Sequence, residues 1–305
     1  MTKCWLQGNC GCAPRVDEAA QGDVPSAVAG TVFDGASSVA SLLNLCEVDP
    51  SIKSVVLKLN LCEYRDWTSG ATTSPLVVEA IVTALRERCT RLERILLMEQ
   101  DSSGTRAMDL YALLGFSDLA ERLQLELFVP AEATWRHVDD VGGLPIEIPE
   151  VLFEFDLLVN VPKMKIHGKT VFTGALKNNF GLLRRKWKLP YHSRLCETIV
   201  ASNLHLPRQL CVMDGTVVLS GRGPAYGIPV SSGILLASWD PVAIDAAGAR
   251  LSGVPLLAAG HLRVASRAGL GSAESAVSWL GEPPTGPRPR VDWLRMLLAN
   301  ALRQG

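Results

Sequence analysis

Short β-rich apolar runs alternate with longer stretches of helical period along most of this chain, and that alternation limits its fold more than any other feature. Ser54–Leu59, Arg94–Met98, Leu125–Val129, Leu157–Val161, Leu210–Met213 and Gly233–Ala237 each read as a strand. Between them, Ser37–Glu47, Pro75–Cys89, Tyr111–Gln124, Leu195–Leu204 and Pro241–Leu251 read as helices. Pro75 and Pro241 suit first helical turns, and Asp240 is placed to cap the helix that Pro241 opens. The pattern predicts parallel β-α-β units: an α/β fold with a mostly parallel sheet and helices on both faces. In such a fold the site lies at the strand tips, beyond the carboxyl ends of the strands. Lys58-Leu59-Asn60 and Glu99-Gln100-Asp101 mark two such tips.

The 305 residues suffice for one large α/β domain, expected over 29–280, or for two lobes of about 29–145 and 146–280. Residues 1–28, polar and rich in Gly, Ala and Pro, are expected to form a flexible arm. Residues 281–305 read as a Pro-rich linker followed by a docking helix over Val291–Leu302. A net charge of −1 gives no global field for nucleic acid or an anionic membrane, so neither is an expected partner. No apolar run reaches spanning length, and the expectation is a cytoplasmic protein, with a homodimer as its assembly. The eight cysteines are dispersed and read as reduced thiols. Cys4, Cys10 and Cys12 match neither zinc-ribbon nor iron–sulfur spacing. No Walker sequence, dinucleotide fingerprint or nucleophile elbow occurs, so neither ATP nor NAD is expected.

The chemistry concentrates in one segment. Val161-Pro162-Lys163-Met164-Lys165-Ile166-His167-Gly168-Lys169-Thr170 follows an apolar strand with three lysines and a histidine. Thr173-Gly174-Ala175-Leu176-Lys177-Asn178-Asn179-Phe180-Gly181 then adds a hydroxyl, another cation and two amides between glycines. Such groups hold carboxylates or phosphates, because lysine brings a point charge with three donors and glycine lets backbone N–H groups approach. Lys163, Lys165, His167 and Lys177 are the catalytic candidates; Lys58, Asn60, Thr173, Asn178, Asn179 and His192 are the candidates for substrate binding. Lys163 and Lys165 are expected to divide between opposite sides of an extended run, with one reaching the ligand. A histidine among converging carboxylates suits a divalent ion, so His167, Glu99, Asp214 and Asp245 are the metal candidates. Zinc is the expected ion, with iron or magnesium as alternatives.

The string Pro-Lys-Met-Lys-Ile-His followed by Thr-Gly-Ala-Leu-Lys-Asn-Asn-Phe-Gly resembles the central signature of the superfamily called domain of unknown function 362. Further matching elements follow in order: Tyr191-His192, Met213-Asp214-Gly215, the stretch Gly221–Gly227, and Ser238-Trp239-Asp240-Pro241-Val242-Ala243-Ile244-Asp245. Upstream, Lys58-Leu59-Asn60 resembles the family's Lys-Pro-Asn element with leucine in place of proline, and Glu99 stands where the family has an acidic strand tip. The resemblance covers roughly residues 30–275 and implies the α/β fold. Many relatives carry a ferredoxin-like module with cysteine-ligated clusters, and this chain lacks such a cysteine run.

These readings lead to an expected metal-dependent enzyme acting on a small carboxylate-bearing or otherwise anionic substrate. A cation offsets charge on an enolate or nitronate oxygen while a poised base removes the proton. Cyclopropane ring closure by nitronate alkylation, in natural-product biosynthesis, is one concrete instance. The rivals are an iron–sulfur-linked oxidoreductase and a non-catalytic anion- or metal-binding module.

Overall fold

The computed structural model describes residues 27–130, 133–221 and 223–284. Most of the expected N-terminal arm, Cys4, Cys10, Cys12, most of the Pro-rich run and the helix over Val291–Leu302 lie outside the described residues. The apolar runs become strands because their β-branched and aliphatic residues are buried on both faces. Thus β2 (Ser54–Lys58), β3 (Arg94–Met98), β4 (Glu126–Phe128), β7 (Leu157–Asn160) and the first part of β10 (Gln209–Ser220) pair in parallel, in the order β4-β3-β2-β7-β10. The sheet continues through β11 (Ile228–Ser238), which runs antiparallel to both neighbours, to β1 (Val28–Val32) and β12 (Val277–Trp279). One continuous mixed, mostly parallel sheet therefore carries strands from both halves of the chain.

Alternation along the strands sends side chains into cores on both faces. Val55 and Leu57 of β2, with Leu210 and Val212 of β10, pack against α1 (Ala36–Leu45) and α2 (Pro75–Arg88). Cys211 and Met213 face the opposite core, formed with α5 (Ala175–Asn179), α6 (Leu195–Leu204), α7 (Pro241–Leu251) and α8 (Gly260–Arg267). Asp240 caps α7, its carboxylate accepting the Val242 and Ala243 N–H groups at 2.8 Å each.

Three features differ from the sequence reading. The stretch Tyr111–Gln124, expected to contain a helix, holds α4 (Phe116–Leu123), and a further helix, α3 (Ala107–Leu113), runs into it and is parted from α4 by Gly115 in a left-handed conformation, φ 80°. A separate hairpin, β5 (Trp135–Val141) with β6 (Leu144–Pro149), turns at Gly142 and Gly143, both with positive φ. The lysine-rich segment is itself a short hairpin, β8 (Lys163–His167) with β9 (Val171–Thr173), laid against β10 beyond β7.

Candidate functional site

The carboxyl ends of β2, β3 and β7 stand side by side, with Lys58 in register with both Met98 and Asn160. Their side chains, and those of the loops that follow, form a nearly dry polar cluster. Lys58 Nζ donates to Glu99 Oε1 at 2.8 Å, with both residues buried. Glu99 also accepts the Leu61 N–H on Oε2 at 2.7 Å and the Gln100 N–H on Oε1 at 2.8 Å. Asn178 donates to Asn160 Oδ1 at 2.7 Å and accepts from Asn60 Nδ2 at 2.9 Å, joining α5 to both strand tips. Asn179 points deeper, donating to Asn203 and Gln209.

The expected division of Lys163 and Lys165 between opposite sides is not what the structure shows. Residues two apart on a strand share a face, and both ammonium groups are buried and electrostatically coupled. Lys163 Nζ meets Asp214 Oδ2 at 2.8 Å, with both side chains fully enclosed. Burial lowers the Lys163 pKa while Asp214 opposes that shift. Lys165 Nζ spends its three donors on Asn60 Oδ1 at 2.7 Å, the Ala71 carbonyl at 2.6 Å and Cys62 Sγ at 3.0 Å.

Lys177 is different. Its α5 is only five residues long, and Gly174 before it has no side chain to cap it. The cap comes from α7 instead: Asp245 accepts the Ala175 N–H at 2.5 Å and the Leu176 N–H at 3.0 Å. A Cβ at Gly174 would lie 2.0 Å from Asp245 Oδ1, so glycine there is what lets the carboxylate reach the helix end. Held this way, the half-buried Lys177 Nζ sits 4.2 Å from the Phe180 ring centroid, with no hydrogen-bond acceptor among the described residues. Withdrawal from water pushes its pKa down to about 8, Lys165 and Lys58 push the same way, and Cys62 opposes them.

Asp245 gives a prediction for stability. Burial raises its carboxyl pKa from 3.8 to about 7 against the two N–H groups it accepts. Between those values the folded chain holds a proton that the unfolded chain has released, so this group's contribution falls as pH rises through the window. Urea denaturation at pH 5 and pH 7.5 is expected to show a shallower loss for Asp245→Asn than for the unmodified chain. Asp245→Ala, which strands both helix N–H groups, is expected to cost about 3 kcal/mol.

A family model described as Domain of unknown function (DUF362) matches residues 55–250, more than half of the chain. The chain belongs to that family. A thylakoid-associated protein of Synechocystis sp. is 30% identical over 107 residues, a stretch covering 33% of this chain and 33% of that protein. The match thus spans about a third of that relative's length. Among solved structures, the lactate racemase apoprotein from Thermoanaerobacterium thermosaccharolyticum is similar at a TM-score of 0.41 and 13% identity, over 74% of this chain and 57% of that one. No helix among the described residues of this DUF362 chain is long and apolar enough to cross a membrane.

The four side chains expected to share a metal do not fit one. His167, Glu99, Asp214 and Asp245 form no common centre, and no group of three His, Cys, Asp or Glu side chains suited to an ion occurs among the described residues. Each is engaged elsewhere. Glu99 and Asp245 hold the contacts given above, and Asp214 binds Lys163, the Ser74 N–H, and the Thr216 N–H and hydroxyl. His167 Nδ1 accepts the N–H groups of Lys169 at 3.1 Å and Thr170 at 3.3 Å. That arrangement assigns the ring proton to Nε2, which leaves that nitrogen a donor with no lone pair for a metal. Burial, with Lys177 and Lys165 beside it, keeps the His167 pKa well below the usual value, so the ring is neutral.

Of the candidates for substrate binding, Lys58, Asn60 and Asn178 belong to the cluster, while Asn179 belongs to the deeper amide network. Thr173, in register with Lys165, keeps a buried hydroxyl with no partner among the described residues. His192 stacks on Phe180 and contacts Lys169 Nζ at 2.8 Å. Three participants escaped sequence reasoning. Cys62 follows the β2 tip by a few residues and read as one more dispersed thiol. Lys188 is not among the candidates named from the sequence, yet its Nζ ties the carbonyls of Gly181, Leu183 and Arg185 together over Phe180. His261, at the start of α8, is fully buried with both ring nitrogens unpartnered among the described residues, and burial, with Lys177, takes its pKa down to about 3. Nothing in the local sequence brings α8 to the site; only packing of the second core does.

Proposed function

We propose that this DUF362 chain is an enzyme that removes a proton from the carbon beside the anionic group of a small carboxylate-bearing substrate, with Lys177 as the base. The observation that carries the reading is Lys177 itself. In a cluster where Lys58 is paired with Glu99 and Lys165 is fully hydrogen-bonded, it is the ammonium with no acceptor among the described residues. A base must present a free lone pair near neutrality, and withdrawal from water, with the positive charges of Lys165 and Lys58 beside it, supplies that condition. The same charges offset the enolate or nitronate that proton removal creates, in a site mostly shielded from water. Thr173 and the Nε2–H of His167 are donors available for the substrate's oxygens. The residues serve α-proton removal beside an anion generally, nitronate alkylation included.

The test is exchange of the α-proton in D₂O, followed by NMR, across a panel of 2-substituted carboxylates and ω-nitroalkanoates. At least one member is expected to exchange with the wild-type chain. Binding of panel members by calorimetry with no exchange in any of them would replace this reading with a non-catalytic anion-binding module.

A further inference from the structure

Lys165 is a buried cation, 1% exposed, with no carboxylate in ion-pair range among the described residues. Two of its three acceptors are neutral oxygens; the third is the sulfur of Cys62 at 3.0 Å. A thiol reacts as its anion, and here an ammonium stands at hydrogen-bond distance from that sulfur. Lys177 is a second cation coupled to the same sulfur. Cys62 is also exposed, which sets it apart. The other described cysteines are buried or half-buried, and burial raises the thiol pKa of Cys46 to about 11, raises those of Cys89 and Cys196, and lifts that of Cys211 well above its usual value.

An independent feature points to a ligand in the same place. Thr173 lies opposite Lys165 in the β8–β9 pairing, so the two side chains share a face of the hairpin. Its residue is 3% exposed and its Oγ has no partner among the described residues. A buried hydroxyl left unpaired is costly, and a carboxylate oxygen arriving beside Lys165 would satisfy it.

We propose that Cys62 is a nucleophilic thiol at the edge of this polar cluster, placed to bond a small carboxylate that carries a leaving group on its α-carbon. In that step the S–C bond forms, the bond from carbon to the leaving group breaks, the leaving group departs with the electron pair, and the thiol proton passes to solvent. The choice of an anionic electrophile rests on the anion-binding lysine cluster of the proposed function; the nucleophile does not depend on the α-proton chemistry.

Iodoacetate and iodoacetamide separate these points, since they deliver the same alkylation with and without a negative charge. Rates at each cysteine of the full chain are read by peptide mass spectrometry. Cys62 is expected to react about tenfold faster with iodoacetate, the low end of what a charged cleft gives a counter-ion. Cys46, Cys89 and Cys196 are expected to show no such preference. Lys177→Met is expected to reduce the preference at Cys62. The proposal is overturned if iodoacetate alkylates Cys62 no faster than iodoacetamide, or if Cys62 reacts more slowly than Cys46 with both. The wild-type chain alone decides this, so a variant that misfolds leaves the test intact. Failure here with α-proton exchange still observed removes Cys62 and keeps the proposed function; failure of both removes the shared anion site.

Discussion

Lys177→Arg is expected to lower α-proton exchange by about 10²- to 10⁴-fold, the usual contribution of a positioned general base, while substrate affinity changes little. Arginine keeps the positive charge that attracts a carboxylate but does not give up its proton in a protein. The substitution therefore separates the charge of Lys177 from its basicity. In the wild-type chain the exchange rate is expected to climb as pH rises through about 8, where the Lys177 ammonium releases its proton. The arginine variant is expected to lose that limb of the profile. Retention of wild-type exchange by Lys177→Arg would sink the assignment of the base. Lys177→Met, which removes charge and base together, is expected to lose affinity as well, and that difference distinguishes the pair of variants from a general disturbance of α5.

Why Lys177 should be the base was only half visible in the sequence. The segment from Thr173 to Gly181 announced itself by its lysine, amides and flanking glycines. The fold class was equally legible, because apolar runs such as Arg94–Met98 are long enough for strands, short for helices and bounded by polar residues. What the sequence could not display is how partners are shared out. Asp214 read as a metal candidate, since an acidic residue beyond an apolar strand suits that role. Only the close approach of β8 to β10 shows it spent on Lys163. Asp245 read as a metal candidate, and its job is to cap a different helix, 69 and 70 positions away in the chain. Such long-range satisfaction of backbone N–H groups leaves no local pattern. The same holds for Cys62 and His261, whose relation to the cluster comes from loop and helix packing. The four metal candidates do not converge for this reason: each acid was counted as free when backbone and lysine donors already claimed it.

The Lys163–Asp214 pair is where this difference has its largest effect on stability. Both side chains are fully enclosed, and Asp214 accepts three further hydrogen bonds, from the Ser74 N–H at the head of α2 and from the N–H and hydroxyl of Thr216 on β10. Asp214→Ala leaves a buried ammonium without its counter-charge and strands the Ser74 N–H. The expected loss is about 3–5 kcal/mol, as for other buried pairs broken on one side, read from the urea midpoint at constant slope. Lys163→Met leaves the carboxylate three donors, from Ser74 and Thr216, and is expected to cost less. Combining Lys163→Met with Asp214→Asn removes both charges and keeps an acceptor for Ser74, so the double variant is expected to be more stable than Asp214→Ala alone. That ordering follows from desolvation: a charge already stripped of water suffers most when only its partner is taken away. If Asp214→Ala unfolds at the wild-type urea midpoint, the enclosed pair is not holding β8 against β10, and the position of Lys165 and Lys177 must be fixed by the amide contacts of Asn60 and Asn178 instead.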